Sequence, residues 1–184
     1  MAAVLTLPRD RDVWTVDDLD GLPDDGLRYE LVDGALLVSP PAPNPHNVIA
    51  SRLAFWLRVA LDDEWEVITP GSVRLDEHNR REPDVLVVAV ASATEQHAPP
   101  AATLLAVEVM SPSSVDDDRV RKPAQYARAG IPHFWRVEPL EPVLVTYRLD
   151  GEVYRETGRF DDEVVLDEPV ALRFALADLL PWPP

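Results

Sequence analysis

Residues 84–90 read DVLVVAV and residues 103–110 read TLLAVEVM, two apolar runs of seven and eight residues dominated by Val and Leu. Their length and β-branched content predict strands, and the absence of polar alternation predicts strands covered on both faces. The chain therefore reads as α/β, with a central mixed sheet flanked by helices. Each run also carries an acid: Asp84 stands at the mouth of the first, after Glu82-Pro83, and Glu108 lies between Val107 and Val109 near the end of the second. A carboxylate in such a strand has to be paired, protonated or metal-bound, because desolvating a lone charge costs several kcal/mol or more.

Working outward, VWTVDDLDGL (13–22) predicts a short helix with Thr15 as N-cap and Asp18 three residues on. RYELVDGALLVSP (28–40) predicts a hairpin about Asp33-Gly34, with strands near 28–32 and 35–39. PPAPNPH (40–46) is too proline-rich for either regular element and reads as a loop. From Asn47 to about Ala60, Val48, Ile49, Leu53, Phe55, Trp56, Leu57 and Val59 recur at helical spacing. EWEVITPGSVRL (64–75) gives one or two strands. A helix is expected at about 123–129, started by Pro123 and closed by Gly130, followed by a strand in IPHFWRVEP (131–139). VLVTYRLDGEVYRET (143–157) predicts a second hairpin about Asp150-Gly151, and residues 160–176 a terminal strand or helix.

The chain has 184 residues and 46% apolar content, which suits one domain with its own core: residues 1–184 as a unit, with 13–140 its core and 141–184 a strand-rich extension. There is no cysteine, which removes disulfides and thiolate metal sites and fits a reducing, cytoplasmic setting. Neither a leader pattern in MAAVLTLPRDRD (1–12) nor any apolar run of roughly 18 to 20 residues is present, so no membrane association is expected. Thirty-three acids against 17 basic residues give a net charge of −16, the wrong sign for a nucleic-acid binder; a DNA-directed activity would need a local basic surface or bound divalent cations. Sixteen of the basic residues are Arg, and Lys122 is the single Lys.

If both apolar strands lie in one sheet, Asp84 and Glu108 can converge, and two carboxylates at one point repel unless a cation neutralises them. Magnesium prefers such oxygen ligands and keeps open positions for water and phosphate. Lys122, at the expected start of the next helix, would sit where backbone N–H groups favour anions. Each residue also has an ordinary reading. Asp84 would be a turn residue after proline, Glu108 an ion-pair partner of an arginine, Lys122 a solvated cation, Glu30 a cross-strand partner of an arginine. His46 would cap or contact the loop, Gln125 would meet water in place of phosphate, and Tyr126 would pack in the core.

YELVDG (29–34), the proline-rich loop with His46, EPDVLVV (82–88), VEVMSPSS (107–114) and KPAQYARAGIPHFW (122–135) together resemble the Uma family of bacterial proteins within the PD-(D/E)XK nuclease superfamily, over roughly residues 13–140. The resemblance implies a restriction endonuclease-like α/β/α core and magnesium-dependent hydrolysis of DNA phosphodiester bonds, with manganese as a substitute metal. It places the superfamily's proline-aspartate on Pro83-Asp84 and its second acid on Glu108, implies Asp84, Glu108 and Val109 at the metal, and adds Glu30 as a supporting acid. His46 and Gln125 fall to substrate binding. The usual lysine two residues after the second acid is Met110 here, and Lys122 would replace it from the helix. Cutting both strands of a duplex would favour a homodimer. Two other readings stay open: a catalytically degenerate interaction module on the same scaffold, and a hydrolase of a small phosphorylated or nucleotide substrate.

Overall fold

The structure, a computed structural model, describes residues 13–112 and 114–181; residues 1–12, residues 182–184 and Ser113 of the VEVMSPSS motif lie outside the described residues. A turn of 3-10 helix at Val16–Gly21 opens it, tied by the Asp18 carboxylate, which accepts from the Thr15 backbone N–H (2.9 Å) and hydroxyl (2.8 Å). Strands β1 (Arg28–Val32) and β2 (Ala35–Ser39) form the expected hairpin, with Tyr29 opposite Val38 and Leu31 opposite Leu36. Asp33 and Gly34 take φ of 50° and 77°, the two left-handed residues that a two-residue turn matching strand twist requires.

Helix α1 runs Asn44–Ala60, so it begins three residues before the apolar periodicity does. Proline misled the reading here: Pro45 lies in the first turn, where a missing N–H costs nothing, and the carbonyl of extended Pro43 accepts from the N–H groups of His46 (3.0 Å) and Asn47 (3.2 Å). Then follow β3 (Trp65–Ile68), β4 (Val73–Arg74), β5 (Arg80–Arg81), β6 (Val85–Ala89), β7 (Thr103–Val109), helix α2 (Lys122–Arg128), β8 (His133–Glu138), β9 (Val143–Asp150), β10 (Val153–Phe160), β11 (Glu163–Leu166) and β12 (Leu172–Ala175).

Six strands make the main sheet in the order β10-β9-β8-β7-β6-β3, in which β7 and β8 are parallel and the other pairs antiparallel. A smaller sheet, β2-β1-β5-β4, is joined to it through the three residues Glu82-Pro83-Asp84 between β5 and β6. On one face of the main sheet, Ile49, Leu53 and Leu57 of α1 pack with Val85, Val87, Leu105 and Val107, and the C-terminal Leu172, Phe174 and Leu179 join the same cluster. On the other, Leu86, Val88 and Ala106 pack with Tyr126 of α2, Ile131 and Phe134. Helices thus cover both faces of a mixed sheet, as the two apolar runs require. Among the described residues no helix is long and apolar enough to cross a membrane.

Two local expectations need correction. Helix α2 does not start at Pro123: a π turn, Asp117–Arg121, leads straight into it, so Lys122 lies inside a continuous helical run and the anion-favouring helix start is not at Lys122. A widened turn just upstream relieves the crowding that a proline ring makes with the preceding turn's carbonyl. The far end is as expected, for Gly130 takes φ of 84° while Ile131 N–H reaches the Tyr126 carbonyl (3.1 Å) and Gly130 N–H that of Ala127 (3.0 Å). In the second hairpin Asp150 pairs with Val153, so the turn residues are Gly151-Glu152, one step later than expected, with Gly151 at φ of 66°.

The loop before β4 touches β6 closely. Gly71 N–H donates to the Pro83 carbonyl (2.9 Å), and a Cβ on Gly71 would stand 2.3 Å from Leu86 Cβ. Gly71→Ala is therefore expected to cost about 1–3 kcal/mol by overpacking against the base of the Leu86 side chain. Gly21→Ala, whose Cβ meets nothing within 4 Å, should stay within about 0.5 kcal/mol of the parent. Thermal or urea denaturation of the pair decides it; equal stability would contradict the close approach.

Candidate active site

The ladder between β6 and β7 pairs Leu86 with Ala106 and Val85 with Val107, so the next step sets Asp84 opposite Glu108. Directly opposed positions bring Cβ atoms to about 4.5–5.5 Å. By strand alternation Glu108 shares the face of Ala106, the face on which Tyr126 of α2 packs. The sheet therefore brings the two acids of the apolar runs together, and both are buried, at 5% and 1% exposure.

Lys122 reaches this point from α2. Its Nζ lies 2.7 Å from Glu108 Oε2 and 2.8 Å from Asp118 Oδ1, one turn back in the π turn. Tyr126 OH donates to Glu108 Oε1 at 2.6 Å. Asp84 Oδ2 accepts from the Val109 N–H at 2.8 Å, while His46 Nε2, from the first turn of α1, stands 2.9 Å from Asp84 Oδ1. Arg28 of β1 approaches the same oxygen at 3.6 Å and Glu82 Oε2 at 3.4 Å.

Glu30 joins through its neighbours. Its Oε1 accepts from the Glu82 N–H (3.0 Å), and its Oε2 lies 3.4 Å from Arg81 Nη1 on the paired strand β5. Gln125 is one contact further out: its Oε1 accepts from Arg81 Nε (2.8 Å) and its amide donates to Asn79 Oδ1 (3.1 Å). Both ends of that amide are thus used on protein partners.

The electrostatics of the two acids diverge. Burial pushes Glu108 up to about 8, with nearby Asp84 and Asp118 adding to the rise and Lys122 opposing it. Burial also works against ionised Asp84, but the His46 contact and the charges of Lys122 and Arg28 hold it below the usual carboxylate range. Lys122 is driven above the ordinary lysine value: burial pulls down, yet Glu108, Glu30, Asp118 and Asp84 outweigh it. The two acids are thus pushed in opposite directions, and the ammonium beside them is held in its charged form.

For a metal, the donor set is two carboxylates whose oxygens each keep a lone pair beyond the hydrogen bonds described. Among the described residues no group of three or more His, Cys, Asp or Glu side chains is arranged to hold a metal ion. The chemistry of such a carboxylate pair suits a hard divalent ion, which takes one or two carboxylates and leaves the rest to water and phosphate. Asp84 and Arg28 line a cleft of about 410 Å³ whose other walls include Asn47 and Ser51 of α1 and Thr69. Met110, in the place of the superfamily's lysine, lines a different cavity with Arg119 and Glu138.

Reading the sequence overlooked Arg28, Arg81, Asp118 and the Tyr126 hydroxyl. Asp118 had a legible signal, an acid four residues before a lysine on a helix, but the SPSS stretch hid the helical turn that carries it. Tyr126 does pack in the core, fully buried, and its hydroxyl serves Glu108 as well. Nothing local separates Arg81 from Arg80.

The crystal structure of a putative nuclease belonging to DUF820 from Anabaena variabilis is similar to this chain with a TM-score of 0.70 and 19% identity, covering 90% of this chain and 96% of that one. That likeness gives the fold, a nuclease fold of the restriction endonuclease-like kind. No curated protein matches the chain. The Uma2 family, described as putative restriction endonuclease, matches residues 16–180, and with nearly the whole chain covered this protein belongs to that family.

Proposed function

We propose that the protein is a metal-dependent endonuclease acting on DNA phosphodiester bonds, with Asp84, Glu108 and the adjoining Val109 segment at a divalent cation, magnesium or manganese. The observation that carries this reading is Asp84 opposite Glu108 with the single lysine 2.7 Å from the second acid. When bound, the cation would act as Lewis acid toward the phosphoryl oxygen and lower the pKa of an attacking water.

The protein's own groups do the rest. Lys122 stays protonated, so it serves as a cation and not as a base: with Nζ anchored on Glu108 and Asp118, its remaining N–H can orient water or face charge developing on the phosphoryl group. Tyr126 holds Glu108 in orientation through Oε1. His46 and the Val109 N–H fix the two oxygens of Asp84, and Glu30 steadies the Glu82 peptide next to it. Arg28 lines the cleft wall, where it already shares Glu82 and Asp84. Gln125 acts at a distance by holding Arg81. The acidic surface favours the alternative of a non-cleaving interaction module strongly enough to need its own discriminator, metal uptake by calorimetry.

Supercoiled plasmid with magnesium or manganese should be nicked by the wild type, and Asp84→Asn or Glu108→Gln should each lower the rate by about 100-fold or more. Unchanged cleavage by Glu108→Gln would overturn the assignment. Lys122→Met should lose activity too, together with about 3–5 kcal/mol of stability, because it leaves Glu108 and Asp118 buried without their cation; urea denaturation reads that loss. With a net charge of −16, duplex retention in a gel is expected with calcium present and lost in EDTA.

A further inference from the structure

Arg81 is the one charged side chain among the described residues that is wholly buried, at 0% exposure. Its guanidinium joins three elements. It forks onto Asp117 in the π turn (Nη1 to Oδ2 3.0 Å, Nη2 to Oδ1 3.2 Å), donates from Nε to Gln125 Oε1 in α2 (2.8 Å), and lies 3.4 Å from Glu30 Oε2 in β1. Asp117 and Asp118 are adjacent in the π turn and divide the work: Asp117 faces Arg81, and Asp118 faces Lys122. A π turn is rare and occurs mostly as a single-turn bulge within an α-helix, so its place here calls for side-chain partners that fix it. Gln125, held by the same guanidinium, sits one turn beyond Lys122, so Arg81 grips the helical run on both sides of the lysine.

We propose that Arg81 is a positioning residue: by clamping Asp117 and Gln125 it fixes the π turn and the start of α2, and so holds the Lys122 ammonium against Glu108. The catalytic consequence rests on the nuclease reading above; the structural one does not. Bidentate pairing to a carboxylate is what a guanidinium does and an ammonium cannot, so lysine is not an equivalent at this position.

The test uses the fact that Lys122 is the only lysine. Apart from the N-terminal amine, an amine-acylating reagent has a single target, read by mass spectrometry of the peptide that contains it. In the wild type labelling should be slow, since Lys122 is 6% exposed and paired twice. In Arg81→Met it should be at least roughly tenfold faster through local opening, and the rate should stay flat at low urea, where global unfolding would make it climb. Asp117→Ala cuts the same link from a partly exposed side chain and serves if Arg81→Met folds poorly; it should give the same acceleration, and the double variant no more than the faster single one. Arg81→Lys should not restore the slow rate. If cleavage is measurable, both variants should lose kcat by about 100-fold with KM little changed, as expected of a displaced reacting group. Wild-type labelling rates in both variants, or acceleration that only tracks global unfolding, would overturn the anchor while leaving the nuclease reading in place. Absence of cleavage in the wild type would overturn the nuclease reading, and the labelling would still decide the anchor.

Discussion

The contact between Lys122 and Glu108 constrains everything around it. Glu108 stands in a strand whose other residues are Thr, Leu, Ala and Val, and its carboxylate can persist there only with the ammonium and the Tyr126 hydroxyl as partners. Lys122 in turn is buried under α2 and needs more acid than one glutamate to offset its desolvation, which Asp118 supplies. Neither group can be moved alone. The helical run that carries Lys122 must therefore meet the end of β7 at a fixed height, and the parallel β7–β8 crossover is the connection that puts it there.

A second constraint acts at the bridge between the sheets. Glu82, Pro83 and Asp84 have almost every polar group tied down. Glu82 N–H goes to Glu30, the Pro83 carbonyl receives Gly71 N–H, and Arg28 donates to the Glu82 carbonyl. The Glu82 side chain is held by Arg80 at 2.6 Å, and the Asp84 carboxylate by Val109 N–H and His46. Three side chains of the smaller sheet thus serve one short segment of the larger, which explains how the YELVDG hairpin supports Asp84 as well as bringing the charge of Glu30 near Lys122. Its work is to hold Asp84 where the β6 ladder ends, within one strand spacing of Glu108.

What could be read in advance follows from how local each signal is. The hairpin at Asp33-Gly34, the strands β6 and β7 and the Gly130 cap were legible because turn chemistry and apolar runs are properties of consecutive residues. The convergence of Asp84 and Glu108 was legible as a consequence of placing acids in two neighbouring strands. The start of α1 and the π turn were not, since each depends on whether prolines and serines in a polar stretch are drawn into a helix by what it packs against. Arg81 was invisible for a similar reason. Two arginines in sequence present the same letters, and only the direction of each side chain along a two-residue strand sends Arg80 to Ser72 and Glu82 and Arg81 into the interior.

The acidity of the chain, which counts against a tight hold on DNA, bears differently on the site itself. Around the cleft the cations are already committed: Arg28 shares Glu82 and Asp84, Arg80 holds Glu82, and Lys122 is shared by Glu108 and Asp118. A phosphate approaching Asp84 would meet an environment whose positive charge is spent on the protein's own acids, and Coulomb repulsion across a few ångströms of low-dielectric cleft would oppose it. On the proposed nuclease activity, the deficit would be met from outside the chain. A divalent cation held by Asp84 and Glu108 would offset both acids and favour the ionised form of Glu108 against the burial that raises its pKa. Metal and substrate binding would then be coupled, each weak without the other.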